Sequence, residues 1–436
     1  MSDDRTVPQQ MMGGVPVRDL RVDVLSGAEA GEVAISERDP ITIGSAEGNT
    51  IRLTDRTVSR YHLEVGRAGD RIALLDLGST NGTYVGEVRI ADGGVTVRSG
   101  AIVRVGDSEL RVSEGAARMV TASPERARLG PLFGRSPAML RVMDKLEQLA
   151  ESEASVLIIG ESGTGKEVTA RALHEISARA DAPFVTIDCG AITPNLFEST
   201  LFGHERGAFT GAERQHRGAF ERAEAGTLFL DEIGELLPEQ QVALLGVLER
   251  KRFVRVGGTQ EVPFRGRVVA ATHRDLRAGV NQGTFRLDLF YRIAVVTLAL
   301  PPLRERSEDI PLLIERFLRE EGDERSPKEA FGDRLKDLLR HPWPGNAREL
   351  RNVVVGALAI GELPELMPSL AGAGDVVETA LSLPYKEAKA RVTATFEERY
   401  VKHLLELCEG NVAKAARTAR MNRSYLIELL HKHGLK

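Results

Sequence analysis

The run Gly160-Glu161-Ser162-Gly163-Thr164-Gly165-Lys166 follows an apolar stretch, Val156-Leu157-Ile158-Ile159, and opens a segment of helical character. A phosphate-binding loop needs that setting. Glycines let backbone N–H groups turn inward around phosphates, the helix N-terminus adds positive potential, and a lysine such as Lys166 reaches the β and γ oxygens. Glu167 stands where Ser or Thr usually helps to hold magnesium. A second acidic site, Asp231-Glu232, ends the run Thr227-Leu228-Phe229-Leu230. Asp231 is placed to hold Mg2+ through water and Glu232 to polarise an attacking water as general base. Such a pair could also close a solvated turn, but the upstream loop favours hydrolysis, with ATP and Mg2+ as the expected cofactors.

These groups need a sheet to carry them. The runs 156–159, Phe184-Val185-Thr186-Ile187, Leu228-Phe229-Leu230 and Val268-Val269-Ala270-Ala271 are separated by helix-length segments and read as buried parallel strands. Ser136-Pro137 supplies an N-cap and a first-turn proline, after which Met139, Met143, Leu146 and Ala150 recur at helical spacing. Beyond Pro301-Pro302 the pattern is helical, with Ile310, Leu313, Ile314, Phe317 and Leu318 on one face, as in a helical lid. Residues 17–113 alternate short β-rich runs with turns and read as a small β-sandwich. The expected boundaries are 17–113 for the sandwich, 114–132 for a linker, 133–366 for the α/β motor and lid, 367–384 for a second linker and 385–436 for an all-α end.

The 436-residue chain is 42% hydrophobic and 28% charged, with no apolar run near the ~20 residues that span a bilayer. Its first residues lack a secretory pattern, so a cytoplasmic protein with no membrane partner is expected. Cys189 and Cys408 have no Cys or His companions at ligand spacing and read as core. The net charge is -5, yet from Asn411 onward six Lys or Arg face only Glu428, which points to a nucleic-acid contact at that end.

With these motifs in view, the segment from about Phe133 to Leu366 resembles the AAA+ domain of bacterial enhancer-binding proteins, the sigma-54-dependent activators. The likeness runs through Leu201-Phe202-Gly203-His204-Glu205, the loop Gly207-Ala208-Phe209-Thr210-Gly211-Ala212, Phe285-Arg286-Leu287-Asp288-Leu289-Phe290-Tyr291-Arg292, Leu303-Arg304-Glu305-Arg306 and Trp343-Pro344-Gly345-Asn346-Ala347-Arg348-Glu349-Leu350. In that family Glu is usual after the P-loop lysine, which accounts for Glu167. The resemblance implies that Arg286 and Arg292 are trans-acting arginine fingers, Arg348 the second sensor, and Thr272 with His273 the first. Asp188 occupies a position that is often Asn and restrains the catalytic Glu. An ionised Asp cannot donate a hydrogen bond, so gating of Glu232 is expected to differ. By composition the 207–212 loop is a mobile turn or a tight turn burying Phe209; the resemblance makes it the contact to sigma-54, through Phe209 and Thr210.

The two ends carry resemblances of their own. Gly44, Ser59-Arg60-Tyr61-His62 and Gly78-Ser79-Thr80-Asn81-Gly82 resemble a forkhead-associated (FHA) domain, a phosphothreonine-binding sandwich. Ser59, Arg60, Thr80 and Asn81 are then the phosphopeptide contacts, although Ser45 replaces the usual Arg; the sandwich could instead serve as an internal brace. Asn411 onward resembles a Fis-type helix-turn-helix, with Asn422, Arg423, Ser424 and Tyr425 at the DNA-facing end of its second helix. The whole implies an ATPase that binds enhancer DNA as a dimer, forms a hexamer, and remodels the sigma-54 RNA polymerase closed complex. A serine/threonine kinase or phosphothreonine protein is the expected input. The alternatives are a DNA-bound regulator or phosphoprotein scaffold that assembles without turnover, and another AAA+ remodeller.

Overall fold

The computed structural model describes residues 15–36, 40–68, 71–90, 94–120 and 127–361, then scattered positions from 389 to 416 and the segment 421–432. It divides into two units, Met1–Leu363 and Pro364–Lys436. Among the described residues no helix is long and apolar enough to cross a membrane.

The first unit opens with two facing sheets. One holds β1 (Val15–Val24), β2 (Val33–Ser36), β7 (Thr83–Val85), β8 (Val88–Arg89), β10 (Ala101–Val105) and β11 (Ser108–Val120), in the order β2-β1-β11-β10-β7-β8. The other holds β3 (Ile41–Gly44), β4 (Ile51–Arg52), β5 (Leu63–Ala68), β6 (Arg71–Asp76) and β9 (Val95–Val97), in the order β4-β3-β5-β6-β9. Alternate residues point inward, so Val22, Ile41, Ile43, Leu63, Val65, Val103, Val105, Leu110 and Val112 form a sealed core. Residues 114–120 differ from the expected linker. They extend β11 against β1, with Val15 opposite Val120 and a register shift between Arg18 and Leu20. Gly115, Ala116 and Ala117 lack a strand-like alternation, but a ladder is held by backbone groups whatever the side chains. Further on, Arg128–Leu129 (β12) and Leu132–Phe133 (β13) form a tight hairpin.

The α/β layer is a five-stranded parallel sheet of β14 (Val156–Ile159), β15 (Phe184–Asp188), β18 (Thr227–Asp231), β21 (Arg267–Thr272) and β22 (Val296–Ala299), ordered β15-β18-β21-β14-β22. Sequence periodicity missed β22, an edge strand with only Leu298 fully inward. The register sets Ile159 beside Thr272 and Asp188 beside Asp231, so the strand ends that carry the candidate chemistry converge. Helix α1 (Pro137–Ala150) is capped by the Ser136 side chain, and Asp309 accepts from the Ser136 hydroxyl at 2.8 Å, tying this helix to the start of the lid. Helix α2 (Lys166–Glu175) leaves the P-loop. Between sheet strands, α3 (Phe197–Phe202), α4 (Ala219–Arg222), α5 (Pro238–Arg250), α6 (Leu276–Gln282) and α7 (Leu287–Ile293) cover the sheet, and two small hairpins, β16 (Gly203–His204) with β17 (His216–Arg217) and β19 (Arg252–Val254) with β20 (Glu261–Pro263), project from it.

The lid comprises α8 (Ile310–Glu320), α9 (Pro327–Phe331), α10 (Leu335–Arg340) and α11 (Asn346–Ile360). Ile310, Leu313, Ile314, Phe317 and Leu318 are the buried face of α8. Trp343 is fully buried and its indole N–H donates to Leu338 O at 2.8 Å.

In the second unit α12 spans Arg423–Lys432, and Leu426, Leu429 and Leu430 pack with Val401, Leu404, Val412, Ala415 and Ala416. Small alanines allow that close approach. The expected linker 367–384, Asn411 and Cys408 lie outside the described residues.

Candidate functional site

The P-loop is shaped by backbone that only glycine adopts cheaply. Gly163 and Gly165 have φ of +79° and +104°, and a Cβ on Gly163 would lie 2.3 Å from Gly345 O of the lid. Glycine here lets loop and lid touch. Lys166 is 7% exposed; its ammonium donates to Gly160 O at 3.1 Å and pairs with Glu232 at 3.3 Å. Thr164 closes the turn through a bond to Glu161 O, while Glu167 faces outward beside Arg171. Arg348 donates to the Ser162 hydroxyl at 2.7 Å, which sets the second-sensor candidate on the loop itself.

At the end of β18, Glu232 has left-handed backbone (φ 49°), an uncommon conformation for a side-chain-bearing residue. Its second oxygen is 2.7 Å from His273 Nδ1 and accepts from the His273 backbone N–H at 3.3 Å. Burial would raise its carboxyl, but the His273 hydrogen bond and the Lys166 charge outweigh it, and the group is held below the ordinary Glu value. Asp231 goes the other way: burial, then the charges of Glu232 and Asp188, raise it. Asp188 itself does not hold Glu232. Its carboxylate accepts from Gly190 N at 2.9 Å and Ala191 N at 3.3 Å, within its own turn. Thr272 is buried, and its hydroxyl accepts from Arg274 N. Of the two first-sensor candidates, His273 is therefore the one that reaches the carboxylate.

Three residues that sequence reasoning did not single out fasten the loop. Arg304 pairs with Glu161 at 2.6 Å and, with Asn346, holds the Glu161 carboxyl below its ordinary value. Asn346 is fully buried; its amide accepts from Leu303 N and donates to Glu161 and to Ser162 O. Arg306 donates to Thr164 O at 2.7 Å. All three lay inside motifs noted in the sequence, but only the fold shows what they touch. The finger candidates are on α7: Arg286, at its N-cap, pairs with Asp288 at 2.6 Å, and Arg292, in its last turn, donates to Leu248 O. Cys189 is buried and burial pushes its thiol up, consistent with a core role.

The 207–212 loop tops the β16–β17 hairpin. Gly207 N donates to Ala212 O, Ala212 N donates to Phe209 O, and Gly207 and Gly211 have positive φ. Ala212 is buried beneath, whereas Thr210 is exposed and Phe209 is 40% exposed, its ring edge-on to His204. Arg255 braces the base through Glu205 and Glu221 at 2.7 and 2.9 Å, and Gly257 brings the neighbouring loop against Ala208.

In the sandwich, Thr80 N donates to the Ser59 hydroxyl at 3.0 Å, Asn81 donates to Thr57 O at 2.7 Å, and Arg60 is exposed beside them. The four residues form one surface. His62 is buried beneath; Ser59 N donates to its Nδ1, its Nε2 lies 3.2 Å from Gly82 O, and burial depresses its pKa. Ser45 donates to Val58 O, while the Arg52 guanidinium donates to Ser45 O. At the other end, Asn422 and Tyr425 are exposed at the start of α12, whose first residues are Arg423 and Ser424.

Residues 132–299 match the Sigma-54 interaction domain, 304–369 the AAA+ ATPase lid domain and 41–106 the FHA domain. The transcriptional regulatory protein GlrR of Escherichia coli K12 is 41% identical over 326 residues, covering 74% of this chain and 72% of GlrR. ZraR of Salmonella typhimurium is 43% identical over 306 residues, covering 69% and 68%. Among solved structures, NtrX from Brucella abortus in complex with ATP is 35% identical at a TM-score of 0.50, covering 71% of this chain and 70% of NtrX. Sheet, P-loop and lid thus define a nucleotide-binding AAA+ ATPase. The chain belongs to the sigma-54-dependent transcriptional regulators and carries an FHA domain at its front.

Proposed function

We propose that this regulator hydrolyses ATP in a hexameric ring to convert the sigma-54 RNA polymerase closed complex to the open complex. It is held on enhancer DNA by a C-terminal helix-turn-helix and governed by Ser/Thr phosphorylation read through the FHA domain. The observation that carries the reading is Glu232, poised between Lys166 and His273 at the end of β18 beside the P-loop. Lys166 turns from Glu232 to the β and γ oxygens, and the freed carboxylate draws a proton from the attacking water. His273 keeps that carboxylate aimed. Among the described residues no group of three or more Asp, Glu, His or Cys could hold a metal alone. Mg2+ usually binds through one or two carboxylates plus phosphate oxygens, and Asp231, crowded by Glu232 and Asp188, suits that role. The ion would neutralise phosphate charge.

Arg286 and Arg292 complete the site from a neighbouring copy, which makes hydrolysis depend on assembly. Sigma-54 is engaged by Phe209 and Thr210, the exposed pair between two glycines. Asn422, Arg423, Ser424 and Tyr425 are the DNA contacts, supported by the basic excess of that end. The phosphopeptide contacts are Ser59, Arg60, Thr80 and Asn81. Mixing tests the shared site: Arg286→Ala/Arg292→Ala chains and Lys166→Ala chains should each be inactive, yet regain part of the ATPase rate together. No recovery on mixing would remove the trans-acting fingers from the account.

A further inference from the structure

The FHA sandwich and the ATPase share a core at one joint. Tyr61 and Leu77 are buried in the same cluster as Phe285, Leu289 and Phe290, and the Tyr61 ring meets Phe290 edge-on at 5.4 Å. Asn281 on α6 fastens two sandwich loops by their backbone: its amide donates to Tyr61 O and Leu77 O, and its carbonyl accepts from Tyr61 N at 3.3 Å. Arg277, one turn earlier, pairs with Glu64 at 2.5 Å. Tyr291 on α7 donates its hydroxyl to Glu47 O, and Gly48 leaves room for its ring, because a Cβ there would lie 3.3 Å from Tyr291 Cε1.

Two features give this joint meaning. The gripped loops are those with the phosphopeptide candidates: Ser59 and Arg60 adjoin Tyr61, and Thr80 and Asn81 follow Leu77-Gly78. Tyr61 and Leu77 are buried in the joint, while the neighbouring Arg60, Thr80 and Asn81 stay exposed and Ser59 is half-buried. The gripped helix α7 carries both finger candidates, and Tyr291 is next to Arg292. The Tyr61 hydroxyl is buried in this joint beside the Tyr291 hydroxyl, which donates to Glu47 O.

We propose that the FHA sandwich is an intramolecular latch on α6 and α7, and that a phosphothreonine ligand on Ser59, Arg60, Thr80 and Asn81 releases it. The exposed α6–α7 surface then takes a second copy of this chain, whose nucleotide Arg286 and Arg292 reach. The latch rests on the proposed motor and assigns the sign of its control: docking represses. A bound phosphopeptide moves the 59–60 and 80–81 loops, and the backbone carbonyls of Tyr61 and Leu77 cannot move without leaving Asn281.

The test is ATPase rate and sedimentation of the full chain at one subassembly concentration, for wild type, Asn281→Ala, Glu64→Arg and the charge-swapped Glu64→Arg/Arg277→Glu. A degenerate phosphothreonine peptide pool and its unphosphorylated counterpart are the probes. The latch predicts a several-fold higher rate and larger species for the two single variants, with the peptide response lost, and a return toward wild-type rate and response in the charge swap. Wild-type rates and response in all variants, or smaller species and lower rates in the single ones, would overturn the latch while leaving the motor intact. No hydrolysis by wild type at any concentration, with or without peptide, would overturn both.

Discussion

Lys166 and His273 take one oxygen each of the Glu232 carboxylate, so the proposed base is held in place from two sides. The position from which an Asn would restrain it is spent, because the Asp188 carboxylate accepts from its own turn. A second titratable group sets a condition on the sandwich. Burial depresses the His62 pKa, so the folded domain keeps this residue neutral while the unfolded chain takes up a proton below the ordinary His value of about 6.5. This contribution to stability is intact above that value and is lost as pH falls toward the lower folded pKa. The denaturation midpoint of the FHA unit should drop between pH 7.5 and pH 5.5, and His62→Gln should be less stable at pH 7.5 but flatter across the range. A midpoint for the wild type that rises with acidification would contradict this. Contiguous motifs such as Gly160–Lys166 and Asp231-Glu232 were legible because chemistry and sequence neighbours coincide. Arg304, Asn346 and Asn281 were not, because each acts on residues about 140 to 220 positions away, and no local spacing encodes that.

At the scale of elements, the central sheet strands were legible from apolar runs, and the face of α8 from its period. The β22 edge and the far end of β11 were not, since one has a single buried side chain and the other is held by its backbone ladder. The P-loop meets the lid at Gly163, where an added Cβ would strike Gly345 O and the left-handed backbone alone would cost about 1–3 kcal/mol. Gly163→Ala should weaken nucleotide binding at least tenfold and lower the thermal midpoint by several degrees, both read from a nucleotide-dependent melting series. Unchanged binding would mean that loop and lid do not meet as described. The 207–212 loop makes the opposite case, with Phe209 and Thr210 exposed on a well-braced hairpin. Phe209→Ala and Thr210→Ala should retain ATPase activity within about twofold, as exposed substitutions seldom disturb a fold, yet lose open-complex formation. Normal transcription by both would remove the loop from the interface with sigma-54.

For the whole molecule, the parts act as one device only if nucleotide turnover is what opens the promoter. A scaffold would need neither Glu232 beside the P-loop nor arginines on α7. Family membership rests on 41% identity across 326 residues, and the proposed coupling of hydrolysis to remodelling is tested separately. The most direct measurement is open-complex formation at a sigma-54 promoter with ATP, comparing wild type with Glu232→Gln. The variant should still bind ATP, hydrolyse it at least about 100-fold more slowly, and open no promoter. Promoter opening by Glu232→Gln at the wild-type level would contradict that coupling.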